Sequence, residues 1–216
     1  MTTLSAEDFA AQRAAMVASQ LRTNGVTDRS LLDALASVPR EDFVPEERRA
    51  TAYIDRSLPL GGGRALNPPL ATALLLNEAR ISVDSRVLIV GAARGYALAL
   101  AGSISNAVTG VECDPSLAAQ ARTVAGVRLV EGPLEIGAAA HAPYHAIVID
   151  GAVEFVPEAL IAQLAPDGRL TTAINEGGVT RLAVGRRGGT GFALVPFIDT
   201  EAVTLPGFVL PREFAF

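Results

Sequence analysis

The sequence contains no lysine, one cysteine and few clustered charges, and each shortage excludes something. All 18 basic residues are arginine, which reads as a base-composition bias of the coding sequence rather than a functional signal. Cys113 has no partner for an intrachain disulfide. The net charge is −5, and Arg48-Arg49 and Arg186-Arg187 are the only basic doublets, so the concentrated positive charge that phosphate contacts need is missing. No nucleic-acid partner is expected. No apolar run reaches the roughly 18 residues of a membrane span, so no membrane partner is expected either. Met1-Thr2-Thr3-Leu4 lacks a basic region followed by an apolar run, which argues against a secretory signal and leaves a cytoplasmic location as the expectation. No long polar tail, internal repeat or low-complexity segment is present.

What is present is apolar bulk. Half of the 216 residues are hydrophobic, enough for one large domain with a sizeable core. The N-terminal part reads as helical. Ser5 and Asp8 resemble a capping box, and Phe9, Met16, Val17 and Leu21 recur at helical spacing up to Asn24-Gly25. A second helix is expected from Asp28 to Pro39, burying Leu31, Leu32, Leu35 and Val38. Residues 41–60 read as irregular and Gly61-Gly62-Gly63 as a flexible loop. Asn67-Pro68 then reads as an N-cap with Pro at the first helical position.

From Arg86 the pattern changes to short apolar runs alternating with helical segments. The runs are Val87–Val90, Val108–Val111, Val127–Val130, Ala146–Ile149 and Leu170–Ile174. Helices are expected between them over Tyr96–Ala101, Ser116–Val124 and Pro157–Leu164. Continuously apolar strands separated by helices imply a parallel, doubly wound α/β sheet. Arg181–Arg186 and Phe192–Ile198 flank Gly188-Gly189 and predict an antiparallel hairpin at the sheet edge.

The run Val87–Val90 enters Gly91-Ala92-Ala93-Arg94-Gly95, and a helix opening with Tyr96 follows. A tight glycine turn there lets a ligand approach the backbone at a helix N-terminus. Glu112 ends the next strand about 20 residues on, where an acidic residue accepts hydrogen bonds from ribose hydroxyls. Each feature has a plainer reading: the glycines as a strand-to-helix turn, Glu112 as a solvated charge. Together they favour a nucleoside-bearing ligand.

The wider pattern resembles the protein-L-isoaspartate O-methyltransferase family. The resemblance rests on Gln20-Leu21 with Gly25-Val26 and Asp28, Val38-Pro39-Arg40-Glu41 with Phe43-Val44-Pro45, and Ala52-Tyr53 with Asp55. It continues through Leu58-Pro59-Leu60-Gly61, Val87-Leu88 with Gly91 and Gly95-Tyr96, and Val111-Glu112 with Asp114-Pro115-Ser116-Leu117. His141-Ala142-Pro143-Tyr144, Gln163-Leu164 and Gly168-Arg169-Leu170 extend it to about Ile174. The resemblance implies a Rossmann-like class I methyltransferase with a mostly parallel sheet, an antiparallel C-terminal edge hairpin and an N-terminal helical extension. The expected division is a 1–60 extension and a 61–216 core within one domain. It further implies S-adenosyl-L-methionine as cofactor and isoaspartyl residues of damaged or unfolded proteins as partners. Their carboxyl, with a pKa near 4, is already nucleophilic at neutral pH, so no general base is expected.

Carried over position by position, the cofactor would meet Gly91, Ala93, Arg94, Gly95, Tyr96, Glu112 and Gly132, and Asn67 would stand at the catalytic, substrate-facing position. This sequence departs from the family pattern at several of these places. Ile89 stands where an acidic residue is usual, Ala93 for the middle glycine, and Arg94 for a small hydroxyl residue. Ala65-Leu66-Asn67 replaces Thr-Ile-Ser, Gly132-Pro133-Leu134 replaces Gly-Asp-Gly, and Asp150 stands where Thr is common. Two accounts stay open: an enzyme with an altered pocket and weakened cofactor binding, or a non-catalytic family member acting by binding. A nicotinamide dehydrogenase is a third reading, weakened because Gly91 and Gly95 do not make a Gly-x-Gly-x-x-Gly turn.

Overall fold

Helical periodicity at the start of the chain becomes α1 (Ala6–Ala15) in a computed structural model that describes residues 4–189 and 191–210. The capping box forms: the Ser5 hydroxyl accepts the Asp8 N–H at 3.2 Å, and the Asp8 carboxylate accepts the Ser5 N–H at 2.8 Å. The helix continues as a π-helical turn, Met16–Leu21, and stops at Gly25. Asp28 caps α2 (Arg29–Ser37). Residues 40–51 are short 3-10 turns.

The stretch read as irregular ends in a hairpin, β1 (Leu58–Gly61) with β2 (Arg64–Leu66), and the three glycines form its turn rather than a flexible loop. Next comes α3 (Pro69–Ala79), whose cap is Pro68. Asn67 is therefore not the N-cap: the helix starts one residue later, with Pro69 at the first helical position, and the Asn67 side chain is held by Asp150 and the Val203 N–H. The remaining elements are β3 (Arg86–Val90), α4 (Tyr96–Gly102), β4 (Ala107–Glu112), α5 (Pro115–Ala121), β5 (Arg128–Glu131), β6 (Tyr144–Val153), α6 (Glu158–Ile161), β7 (Leu164–Glu176), β8 (Val179–Gly188) and β9 (Gly191–Asp199). The expected helix over Pro157–Leu164 is only the single turn of α6, because Leu164 already starts a strand.

Seven strands form one sheet in the order β5-β4-β3-β6-β7-β8-β9. Pairing is parallel from β5 to β7 and antiparallel for β7–β8 and β8–β9; the two-glycine signal between the last runs implies only the second of these antiparallel pairs. Val87 and Ile89 face one apolar cluster and Leu88 and Val90 the other, so β3 is covered on both sides and must be apolar throughout. Phe9, Leu21 and Leu35 of the N-terminal helices join the same cluster as Ile89, which ties the extension to the sheet.

Strand order reverses at β3. The chain runs outward from it to β4 and β5, then returns to its other side at β6. That switch point opens a crevice beyond the carboxyl ends of β3 and β6, where ligands of such sheets bind.

Candidate functional site

The turn after β3 is held by backbone pairing, since the Gly91 and Ala92 N–H groups both donate to the Val111 carbonyl, at 3.1 and 3.0 Å. Gly91 has φ 80° and Gly95 φ 103°, and a Cβ on Gly95 would lie 2.7 Å from Val124 Cγ2. Both glycines are therefore required locally, whatever binds there. Between them Ala93 adopts φ 51°, the left-handed conformation that the family's glycine would take without cost.

Glu112 reaches this turn, but its carboxylate is already occupied. Oε2 accepts the Ala93 N–H at 2.7 Å, and Oε1 accepts the N–H groups of Cys113 and Asp114, each at 2.9 Å. The guanidinium of Arg64, on β2, donates to both oxygens: Nη1 to Oε1, and Nη2 to Oε2 at 3.1 Å. A carboxylate offers about four lone-pair sites, and these donors saturate them. Glu112 is 0% exposed and the Arg64 side chain 7%. The reading of Glu112 as a solvated charge is thus overturned: it is a buried ion-pair partner.

A second side chain closes the crevice. Beyond β9 the chain turns back, and residues 203–208 lie along the end of β6 with a turn at Pro206-Gly207. Ala152 donates to the Val203 carbonyl at 2.7 Å, Leu205 donates to the Ala152 carbonyl at 3.0 Å, and Glu154 donates to the Phe208 carbonyl at 3.2 Å. Leu205 (2% exposed) then sits against the turn, its Cδ1 only 2.9 Å from where a Cβ of Gly91 would be. What stays open are two shallow grooves on either side of Pro206. One, of about 480 Å³, is lined by Gly132, Leu134 and Gly207; the other, of about 520 Å³, by Gly62, Arg64 and Leu205.

Under the crevice lies a buried polar network. Asn67 Nδ2 and Thr72 Oγ1 both donate to Asp150 Oδ1 at 2.9 Å, and Asn67 Oδ1 accepts the Val203 N–H at 2.8 Å. Burial raises the Asp150 carboxyl above its ordinary value, opposed by the Asn67 and Thr72 hydrogen bonds and by the charge of Arg40. Arg40 is fully buried. Its Nε donates to the Ala52 carbonyl at 2.8 Å, its Nη2 to the Asn67 carbonyl at 2.5 Å, and its guanidinium lies 4.8 Å from the Tyr96 ring centroid. Tyr96 also packs on Phe43 at 5.6 Å, and burial raises its phenol.

The residues singled out from sequence therefore divide. Gly91, Ala93, Gly95 and Glu112 converge on the turn. Gly132 is at its rim, its N–H donating to the Glu112 carbonyl at 3.0 Å. Tyr96 turns toward Arg40 and Phe43. Arg94 lines a different depression, beside Pro39, Asp42 and Gln120. Asn67 faces Asp150. The histidines are apart: His145 Nδ1 accepts the Arg86 N–H at 2.8 Å, and His141 lies 3.3 Å from Arg128 Nη1. Cys113 is half-buried, and burial followed by the Glu112 charge pushes its thiol up. Arg64 and Leu205 escaped the sequence reading. Arg64 left one faint signal, a cation next to the apolar pair Ala65-Leu66, which needs a buried counter-charge; Leu205 left none beyond lying in the apolar stretch Leu205-Pro206-Gly207-Phe208.

Residues 11–195 match the family model described as protein-L-isoaspartate(D-aspartate) O-methyltransferase. A protein-L-isoaspartate O-methyltransferase of Methylorubrum populi is 41% identical over 184 residues, covering 82% of this chain and 87% of the relative. A solved protein-L-isoaspartate O-methyltransferase superposes with a TM-score of 0.77 at 23% identity, covering 90% of this chain and 66% of the other. A Plasmodium falciparum protein given that name provisionally, solved with S-adenosyl-L-homocysteine, has a TM-score of 0.74 at 18% identity, covering 91% of this chain and 97% of the other. These two likenesses show the fold.

Proposed function

The chain belongs to the protein-L-isoaspartate O-methyltransferase family, and on that premise we propose that it methylates the free carboxylate of isoaspartyl residues in damaged proteins with S-adenosyl-L-methionine. The observation that carries the reading is the match to named relatives over most of both chains. The glycine turn after β3 with Glu112 at the end of β4 supports it, as the arrangement that seats a nucleoside in such sheets. The relatives compared all bear the methyltransferase name, and none favours a non-catalytic role.

The side chains as they stand do not fit the cofactor. Arg64 saturates Glu112, and Leu205 covers Gly91. Asn67, at the substrate-facing position, is likewise occupied: it is buried, with its Nδ2 on Asp150 and its Oδ1 on the Val203 N–H. Arg94, lining a separate depression, is assigned no cofactor role.

The test is incubation of the purified protein with methyl-labelled S-adenosyl-L-methionine and an isoaspartyl peptide, with the ordinary aspartyl peptide as control. Labelled methanol released from the labile ester of the isoaspartyl peptide alone is the expected result. Label transferred equally to both peptides would point to another acceptor, and none above background would reject the repair activity.

A further inference from the structure

Three donors on the backbone and two on Arg64 leave Glu112 no site for a ribose hydroxyl. We propose that the chain carries its own plug: Arg64 takes the place of the ribose diol on Glu112, and Leu205 takes the place of the ligand over Gly91. The inference rests on the reading of the crevice as a cofactor site and adds to it a closed state that the cofactor must displace.

Two further observations set the Leu205 segment and the Arg64 hairpin apart from the sheet. The match to the family model ends at residue 195, and the segment that bears Leu205 follows it. The backbone of that segment pairs with β6 as a single isolated bridge, Ala152 with Thr204, with further hydrogen bonds to the Asn67 side chain and from the Glu154 N–H, while Leu205 and Phe208 anchor it by burial in the apolar cluster of Leu88 and Val90. β3 beneath it pairs with β4 and β6 without a register shift. The Arg64 hairpin is likewise short, with three paired positions. The main-chain pairing of both pieces is short, so opening either breaks few backbone hydrogen bonds while the sheet stays folded.

Ligand and plug exclude one another, so the apparent affinity equals the intrinsic affinity reduced by the fraction of open molecules. The test uses S-adenosyl-L-homocysteine as probe and the full chain as protein. Calorimetric titration compares wild type with the double variant Arg64→Gln, Leu205→Ala, each checked for cooperative thermal unfolding. The double variant is expected to bind roughly tenfold tighter or more. Equal, measurable affinity in both overturns the plug and leaves the cofactor reading standing; no binding in either, with both proteins folded, overturns both. Should the double variant not fold, hydrogen exchange on wild type decides. Saturating probe is expected to strip protection from the Val203 and Leu205 amides, and unchanged protection with the probe bound contradicts the plug.

Discussion

Ala93 holds a conformation that costs an L-residue about 1–2 kcal/mol, at φ 51° between two glycines that also take positive φ. Glycine there would shed that strain and lose part of the gain to backbone entropy. Ala93→Gly is therefore expected to stabilise the fold by about 0.5–1 kcal/mol, measured by denaturant titration; destabilisation would show that the Ala93 methyl packs more favourably than its backbone is strained. Asp150 gives a pH signature. Its folded pKa is raised, chiefly by burial, so between the ordinary carboxylate value near 4 and the raised one the native state binds more protons than the unfolded chain. Stability contributed by this group is then lost as pH rises through that window, and the full cost persists above it. Asp150→Asn carries no such proton. Its stability relative to wild type should climb as pH increases from about 4 and then level off. A flat or falling difference would mean that Arg40, Asn67 and Thr72 outweigh burial.

Among the elements, the strands were the most legible. Val87–Val90 and Ala146–Ile149 are apolar without interruption because both faces of their strands are covered, and their β-branched residues distinguish them from the equally apolar helix α4. The edge hairpin was legible from Gly188-Gly189. The site was legible only as backbone: the turn at Gly91 and Gly95 and the position of Glu112 follow from local spacing. Its side-chain content was not, because Arg64 meets Glu112 across 48 residues and Asn67 meets Asp150 across 83. Spacing carries no information about such pairs. Asn67 illustrates the failure: its local sequence reads as a helix cap, whereas the helix starts one residue later and the buried carboxylate of Asp150 claims the side chain. The Val203–Phe208 segment offers an element-scale test. A Cβ on Gly151 would lie 2.6 Å from Leu205 Cγ and 2.7 Å from the Val203 carbonyl oxygen, and the latter is backbone and cannot rotate aside. Gly151→Ala is expected to push the segment off β6, cost about 1–3 kcal/mol and speed exchange of the Leu205 amide. Wild-type stability and exchange in this variant would mean that the segment adapts in place.

At the scale of the molecule, the sheet order places a ligand crevice at the β3–β6 switch point, and the proposed function gives that crevice to a methyl donor. Among the described residues no helix is long and apolar enough to cross a membrane. The fold thus supplies the platform, while a hairpin arginine and a leucine beyond the last sheet strand decide whether the crevice is open. The most direct test is a crystal structure grown with S-adenosyl-L-homocysteine. It should show Arg64 withdrawn from Glu112, Leu205 lifted from Gly91 and the Glu112 carboxylate on the ligand's ribose. Ligand bound in the crevice with Arg64 still paired to Glu112 and Leu205 still over Gly91 would contradict the account.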